Sequence, residues 1–305
     1  VEVGTTNCTY LADYEQAMDY YQQSLPIRQE IGDREGEAKM LNNIGSVHHD
    51  LSNYEQALAY YQQALSISQE IGDQRGEATT LNNIGMAYLA LSDYEQALGY
   101  FQQALPIQQE IGDRAGMGTT LNNTGLIYEA LDYYEQALDY YEQALTIRQE
   151  VGDRAGEAVT RGNIGGAYDA LSDYAQALLY YQQALEIAQE VSDRTGEARM
   201  LNGIGTVYRV LSDSPQALGY FQQALEITRE IGDRAEEGRT LNNTGSVYKV
   251  LSDYEQALTY YEQALAIGRE IGNRAGEAGT LNNIGTVYDD RSDYEQALTY
   301  YQEAL

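Results

Sequence analysis

Four cations stand out in a chain otherwise short of them: Arg199, Arg209, Arg239 and Lys249, with Arg161 just before. The chain carries 47 acidic residues against 18 Lys and Arg, a net charge of -29. A guanidinium presents paired N–H donors that match a carboxylate, so this stretch suits acidic side chains or a C-terminal carboxylate of a partner. The plainer reading is that these cations neutralise the neighbouring Glu197, Glu230 and Glu237. A second set bears amides. Asn42, Asn82, Asn122, Asn202, Asn242 and Asn282 recur at multiples of forty residues, and only Gly162 breaks the series. A carboxamide is both donor and acceptor, so a ladder of them can pair with an extended peptide backbone without reading its side chains. Equally, Asn82 or its neighbour Asn83 can bond the adjacent helix. A third set, Met86, Leu89 and Leu126, makes an apolar patch.

No set of residues fits catalysis. His48-His49-Asp50 is a departure from the surrounding pattern, but adjacent helical residues point about 100° apart and do not converge on one metal. The carboxylates Glu70, Asp73 and Glu77 recur in other units, as caps and solvated charge do, whereas an acid–base pair needs two differently tuned environments. There is no Ser/His/Asp arrangement, no phosphate-binding glycine loop and no metal-ligand spacing. The expectation is no enzyme, no metal and no cofactor.

Composition narrows the partners. The acidic surface argues against nucleic acid and against anionic membranes, since both need cationic contacts. No apolar run approaches the roughly 20 residues of a membrane span. The single Cys8 excludes an internal disulfide and a cysteine-based zinc cluster. Asn7-Cys8-Thr9 matches the N-glycosylation pattern as an isolated match. The cytoplasm is the expected compartment, with an extracellular location left open. Trp is absent, Phe occurs twice and Tyr 29 times, so Tyr is the large core residue.

The elements that carry these sets repeat. Gly45, Gly85, Gly125, Gly165, Gly205, Gly245 and Gly285 fall forty residues apart with no insertion. A fixed period of this size signals a solenoid, each unit packing only on its neighbours. Each unit reads as two helices, one over about 34–50 and one over about 53–71. Leu41, Ile44, Val47 and Leu51 form the stripe of the first; Tyr54, Ala57, Leu58, Tyr61, Leu65 and Ile67 form that of the second. Ser52 with Glu55, and likewise Ser92/Glu95, Ser252/Glu255 and Ser292/Glu295, read as capping boxes. Gly32, Gly72, Gly112, Gly152, Gly232 and Gly272 read as left-handed helix ends, with Ser192 a departure, and Asp33 and its copies as N-caps, a part Asn273 can also fill. Residues 1–10 do not match the repeat and form a divergent N-terminal segment. Residues 11–305 read as a single array of about seven 40-residue units plus a partial unit, truncated at the C-terminal end.

These residues resemble the tetratricopeptide repeat. Its pattern W-x2-L-G-x2-Y, then A-x3-F, then P appears as Leu81-x2-Ile84-Gly85-x2-Tyr88, then Ala97-x3-Phe101, then Ala104. Leu replaces Trp, the closing Pro is absent, and the period is 40 rather than 34. The longer form is similar to the arrays of Pins/LGN-type scaffolds and to tandem arrays in cyanobacterial and other bacterial signalling proteins. The resemblance implies an all-α solenoid of tandem antiparallel helix pairs in a right-handed superhelix. It implies that the first helix of each unit lines a concave groove, with the positions of Thr79, Asn82, Met86, Leu89 and Ala90 facing it.

On that geometry the expected function is a protein–protein interaction scaffold that binds an extended peptide or a helix of a partner. The groove would offer the asparagine series, the cations Arg199, Arg209, Arg239 and Lys249, and the apolar Met86, Leu89 and Leu126. The alternative is self-association. Near-identical units with apolar faces at Tyr14/Leu25 and Tyr294/Leu298 could stack end to end or exchange units between chains.

Overall fold

In the computed structural model the described residues are 5–305, with side chains described for Tyr14 and for residues 16–305. The Asn7-Cys8-Thr9 side chains and the start of the divergent segment therefore lie outside them. Fifteen helices run along the described residues: α1 Thr5–Glu30, α2 Arg34–Asp50, α3 Tyr54–Ile71, α4 Gln74–Ala90, α5 Tyr94–Glu110, α6 Arg114–Ala130, α7 Tyr134–Val151, α8 Arg154–Ala170, α9 Tyr174–Glu190, α10 Arg194–Val210, α11 Ser214–Ile231, α12 Arg234–Val250, α13 Tyr254–Glu270, α14 Arg274–Asp290 and α15 Tyr294–Glu303. No strand occurs among them. The even-numbered helices are the first members of the pairs expected from the repeat. The chain falls into two compact units, Val1–Gly156 and Glu157–Leu305.

The second helices α3 and α11 each bury two faces. In the first unit, Ala38 and Leu41 of α2 pack on Ala64 and Ile67 of α3. The other side of α3, with Ala57, Leu58 and Tyr61, packs on Ile84 and Ala87 of α4. The second unit repeats both arrangements: Ala198 and Leu201 meet Ala224 and Ile227, while Ala217 and Phe221 meet Val247. Alternating interfaces of this kind build the core of each unit from short-range contacts. Tyr is its largest component, as expected. Tyr141 and Tyr261 are fully buried, and Phe101 and Phe221 take the same place in two repeats.

One glycine per repeat permits this packing. A Cβ on Gly85 would lie 2.4 Å from Cε1 of Phe101, inside any real contact distance. The ring of the second helix thus lies flat on the bare backbone of the first. Beside it, Tyr88 and Tyr100 stack with centroids 5.5 Å apart, and the pair recurs at Tyr248 and Tyr260. In the α2–α3 pair His48 takes the tyrosine's place, stacking on Tyr60 at 5.3 Å.

The turns correct one expectation. Ser52, Ser92, Ser252 and Ser292 are not capping-box residues; each has φ near +60° and ends the preceding helix. The cap lies one residue later: Asp93 Oδ1 accepts from the Gln96 N–H at 3.2 Å. A short carboxylate at that position reaches the first-turn amides without the serine, and the serine is left to make the left-handed step. The second kind of turn is as expected. Gly72 has φ +72°, Asp73 Oδ1 accepts from the Gly76 N–H at 3.0 Å, and Asn273 caps α14 in the same way. Ser192 stands in for glycine with φ +60°.

Within each unit the first helices form the closer row. α2 contacts α4 and α4 contacts α6, as α10 contacts α12 and α12 contacts α14. Among the described residues the second helices α3, α5 and α7, and likewise α9, α11, α13 and α15, make no such contacts with one another.

Candidate peptide-binding face

The asparagine series lies on this closer row, where it bonds the adjacent first helix. Asn42 Oδ1 accepts from Asn83 Nδ2 at 3.1 Å. Asn82 Oδ1 accepts from Asn123 Nδ2 at 3.2 Å, and Asn242 Oδ1 from Asn283 Nδ2 at 3.0 Å. Each bond ties one first helix to the next, so the Asn83 series is structural. The bond uses only the oxygen of the Asn42-type residue. The side-chain NH2 groups of half-buried Asn42, Asn82 and Asn242 have no protein acceptor among the described residues. A carboxamide held by its oxygen is a fixed donor.

The series is not uniform. Asn122 and Asn202 are buried, and Asn282 is exposed. Asn202 Nδ2 donates to Glu236 Oε1 at 2.8 Å. Glu236 itself replaces the glycine found at the equivalent Gly36, Gly76, Gly116, Gly156, Gly196 and Gly276. It is only 3% exposed and also accepts from Arg239 Nη1 at 2.5 Å. Sequence reasoning missed this residue, although its break with an otherwise unbroken glycine column was the available signal.

The cations do not neutralise the acids expected for them. Glu197 and Glu230 both bond Arg194, at 2.6 Å and 2.5 Å. Glu237 bonds Arg229 at 2.9 Å and also Arg234. Arg199 is exposed and has no ion-pair partner among the described residues. Arg239 is tied to Glu236, Lys249 Nζ lies 3.4 Å from Asp290, and Arg161 bonds Glu157 at 2.9 Å. Half-buried Arg209 has an Nε with no hydrogen-bond partner. It faces Asp169, whose carboxyl is raised by burial and partly brought back by that guanidinium. The four cations therefore differ: Arg199 projects without an acid, and the other three have one nearby.

The apolar set is partly core. Met86 and Leu89 pack against the buried Ala97, Phe101 and Ile127, and Leu126 is half-buried. At the next position along the Leu89 column, Glu129 is half-buried and accepts from the Tyr141 hydroxyl at 2.6 Å. Burial raises its carboxyl despite that bond. His49 stands edge-on to Tyr54. Among the described residues no group of three potential metal ligands occurs, and no helix is long and apolar enough to cross a membrane.

The quorum sensor NprR from B. thuringiensis, in its apo form, superposes with a TM-score of 0.75 over 97% of this chain and 83% of its own, at 16% identity. A Rap protein complexed with Competence and Sporulation Factor gives 0.69 over 94% and 84%, at 15% identity. A signal transduction ATPase with numerous domains from Pyrococcus horikoshii, which carries a tetratricopeptide repeat sensor, gives 0.70 at 17% identity over 93% of this chain but 43% of its own. At these identities the likeness is one of fold. No curated protein matches the sequence. A Sel1 repeat profile matches residues 8–25. The tetratricopeptide repeat profile matches residues 36–110, 116–190, 196–270 and 245–305. With that coverage, and with fifteen helices in tandem pairs, the chain belongs to the tetratricopeptide repeat family.

Proposed function

We propose that residues 11–305 act as one array, a protein-interaction scaffold whose first-helix row receives an extended segment of a partner. The observation that carries this reading is the half-used amide. Asn42, Asn82 and Asn242 are each fixed through Oδ1 and present an NH2 group without a protein acceptor among the described residues, on the row where the helices lie closest. Backbone carbonyls of a bound segment are the natural acceptors. Arg199, exposed and unpaired, adds a site for a carboxylate. The Rap neighbour was solved with Competence and Sporulation Factor, which accords with a partner seated on such a row.

The test is a selection of displayed random 12-residue peptides on the full chain, followed by affinity measurements on variants. Asn82→Asp and Asn242→Asp keep the oxygen that binds the next helix and remove the donor. Each should weaken a selected peptide about tenfold, the worth of one good hydrogen bond to a held group. Unchanged affinity in both variants would sink the reading.

A second reading, stacking of copies, is favoured by the end helices. Tyr294 and Leu298 of α15 are 66% and 56% exposed, and Tyr20 and Ile27 of α1 are 63% and 58% exposed. The faces differ from the expected ones at the start of the chain: Tyr14 and Leu25 are half-buried, with Leu25 packed on the α2–α3 core. Concentration-dependent light scattering that rises in the wild type and is abolished by Leu298→Glu supports stacking; a flat profile rejects it.

A further inference from the structure

Three helices of the second unit, α12, α13 and α14, enclose an open cleft of about 370 Å³. Three glycines make it. Gly238, Gly268 and Gly279 line its wall, and no other repeat combines glycine at all three places. At the place of Gly268 the other repeats carry Arg28, Ser68, Gln108, Arg148, Ala188 and Thr228. At the place of Gly279 they carry Lys, Thr, Val or Arg. Gly118, the counterpart of Gly238, shows what filling means. A Cβ there would meet both Ile147 and Arg148 at 3.3 Å, whereas at Gly238 the nearest side chain is Ile267 alone, at 3.2 Å.

Gly268 and Gly279 are not required by packing or by backbone. A Cβ on Gly279 would have nothing within 4 Å, and one on Gly268 nothing nearer than 3.6 Å. Neither has a positive φ. Two helix-interior glycines that no contact demands lower stability. What they leave is a space walled by Ile267 and Ile271, with polar groups converging on its rim. Arg239 stands there 62% exposed and is held through Nη1 by Glu236. Asn242 offers the NH2 that has no protein acceptor, and Asn282 lies exposed beside it. A mixed hollow, with two isoleucines in its wall and amide and guanidinium donors along its edge, has the make-up of a ligand site.

We propose that this cleft takes a bulky apolar side chain, aromatic or branched, from an acidic segment of a partner, with a neighbouring carboxylate on Arg239. The identity of the occupant rests on the groove reading above. Local charge selects it: the rim carries one cation, Arg239, held only through Nη1, beside the amide N–H donors of Asn242 and Asn282, and a carboxylate is the group that fits them. Glu236 has a defined part. It holds one nitrogen of Arg239, so the guanidinium enters the site oriented, with Nε and Nη2 left to bind.

The probe is 3-phenylpropionate, an aromatic ring on a short stem bearing a carboxylate, titrated onto the full chain and read by saturation-transfer NMR. Saturable binding is expected. The Gly268→Thr/Gly279→Thr double variant restores the side chains of the preceding repeats' pattern, so it should melt no lower than the wild type and bind at least about tenfold more weakly. Arg239→Gln should also weaken binding about tenfold, through loss of the charge-assisted bond. No saturable binding to the wild type, or equal binding by the folded double variant, overturns the proposal. The selected 12-residue peptide separates the two claims. If Asn242→Asp weakens it and the double variant does not, the groove stands and the cleft falls. If 3-phenylpropionate binding is lost in the double variant while the peptide ignores both asparagine variants, the cleft stands as a small-molecule site and its peptide occupant falls.

Discussion

The same register of the repeat appears as a cleft in both units, and the two differ instructively. At α2–α4 it measures about 240 Å³ and is lined by Ala38, Lys39, Ser68 and Thr79. At α12–α14 it measures about 370 Å³, and the matching residues are Gly238, Arg239, Gly268 and Gly279. Lys39 is paired with Glu35 on its own helix at 2.5 Å and presents a single ammonium. Arg239 presents a planar fork, part of it already held by Glu236. The two places share the layout of helices and turns. Side-chain volume, the shape of one cation and the charge of the lining separate them, Glu35 and Asp73 giving way to Ala235 and Asn273, so a solenoid can vary its sites without touching its architecture.

The largest effect that would sharpen this comparison separates the two kinds of glycine. Gly245 lies under Tyr261, whose ring would be 2.8 Å from a Cβ. Gly245→Val should destabilise the second unit by about 3 kcal/mol through overpacking, while Gly279→Val leaves it folded. Urea unfolding of both variants checks this, and equal losses would erase the distinction. Next is a transplant. Ser68→Gly with Thr79→Gly should open the α2–α4 cleft at a stability cost of about 1 kcal/mol. It should bind 3-phenylpropionate more weakly than α12–α14 does, because Lys39 cannot bind a carboxylate through two nitrogens. Binding equal to that of α12–α14 would show that volume alone matters.

Gly279→Ala should raise stability by about 0.5–1 kcal/mol, measured as a higher urea midpoint with unchanged slope. Glu236→Gly restores the column glycine and removes the group that orients Arg239. It should weaken a selected peptide by about threefold; stronger binding would mean that Glu236 competes with the partner's carboxylate for Arg239. The smallest effect concerns the α2–α3 pair, where His48 replaces tyrosine. Burial holds its imidazole below the ordinary histidine value. The unfolded chain therefore binds the proton more readily, and this pair should lose stability as pH falls through about 6.5 toward the lower folded value. Hydrogen exchange of α2 and α3 at pH 7.5 and 5.5 reads the effect, and His48→Tyr should remove it.

Much of the fold was legible because a periodic sequence repeats its evidence. The Leu41 and Ile44 stripe, the Gly85 contact and the Asp73 cap each occur many times, so local chemistry alone names them. The capping boxes misled because Ser92 and Asp93 are both cap formers. Only the backbone φ shows which of the two ends one helix and which starts the next. The asparagine ladder was legible as polar and regular, but not as divided between an oxygen for the next helix and an NH2 group left over. The partner of Glu230 was misassigned for a related reason: Arg194 reaches it from 36 residues before, across the α10–α11 pair, a spacing that linear proximity hides. Glu197 and Glu237 are met from three residues before them, by Arg194 and Arg234.

By itself the sequence determined the helices, their pairing and their period, because these depend on contacts within forty residues that every repeat restates. Tertiary structure alone decided which amides and cations are already engaged and where the missing side chains of Gly238, Gly268 and Gly279 coincide in one space. Those outcomes depend on distances between helices of different repeats, and a one-dimensional pattern does not contain such distances.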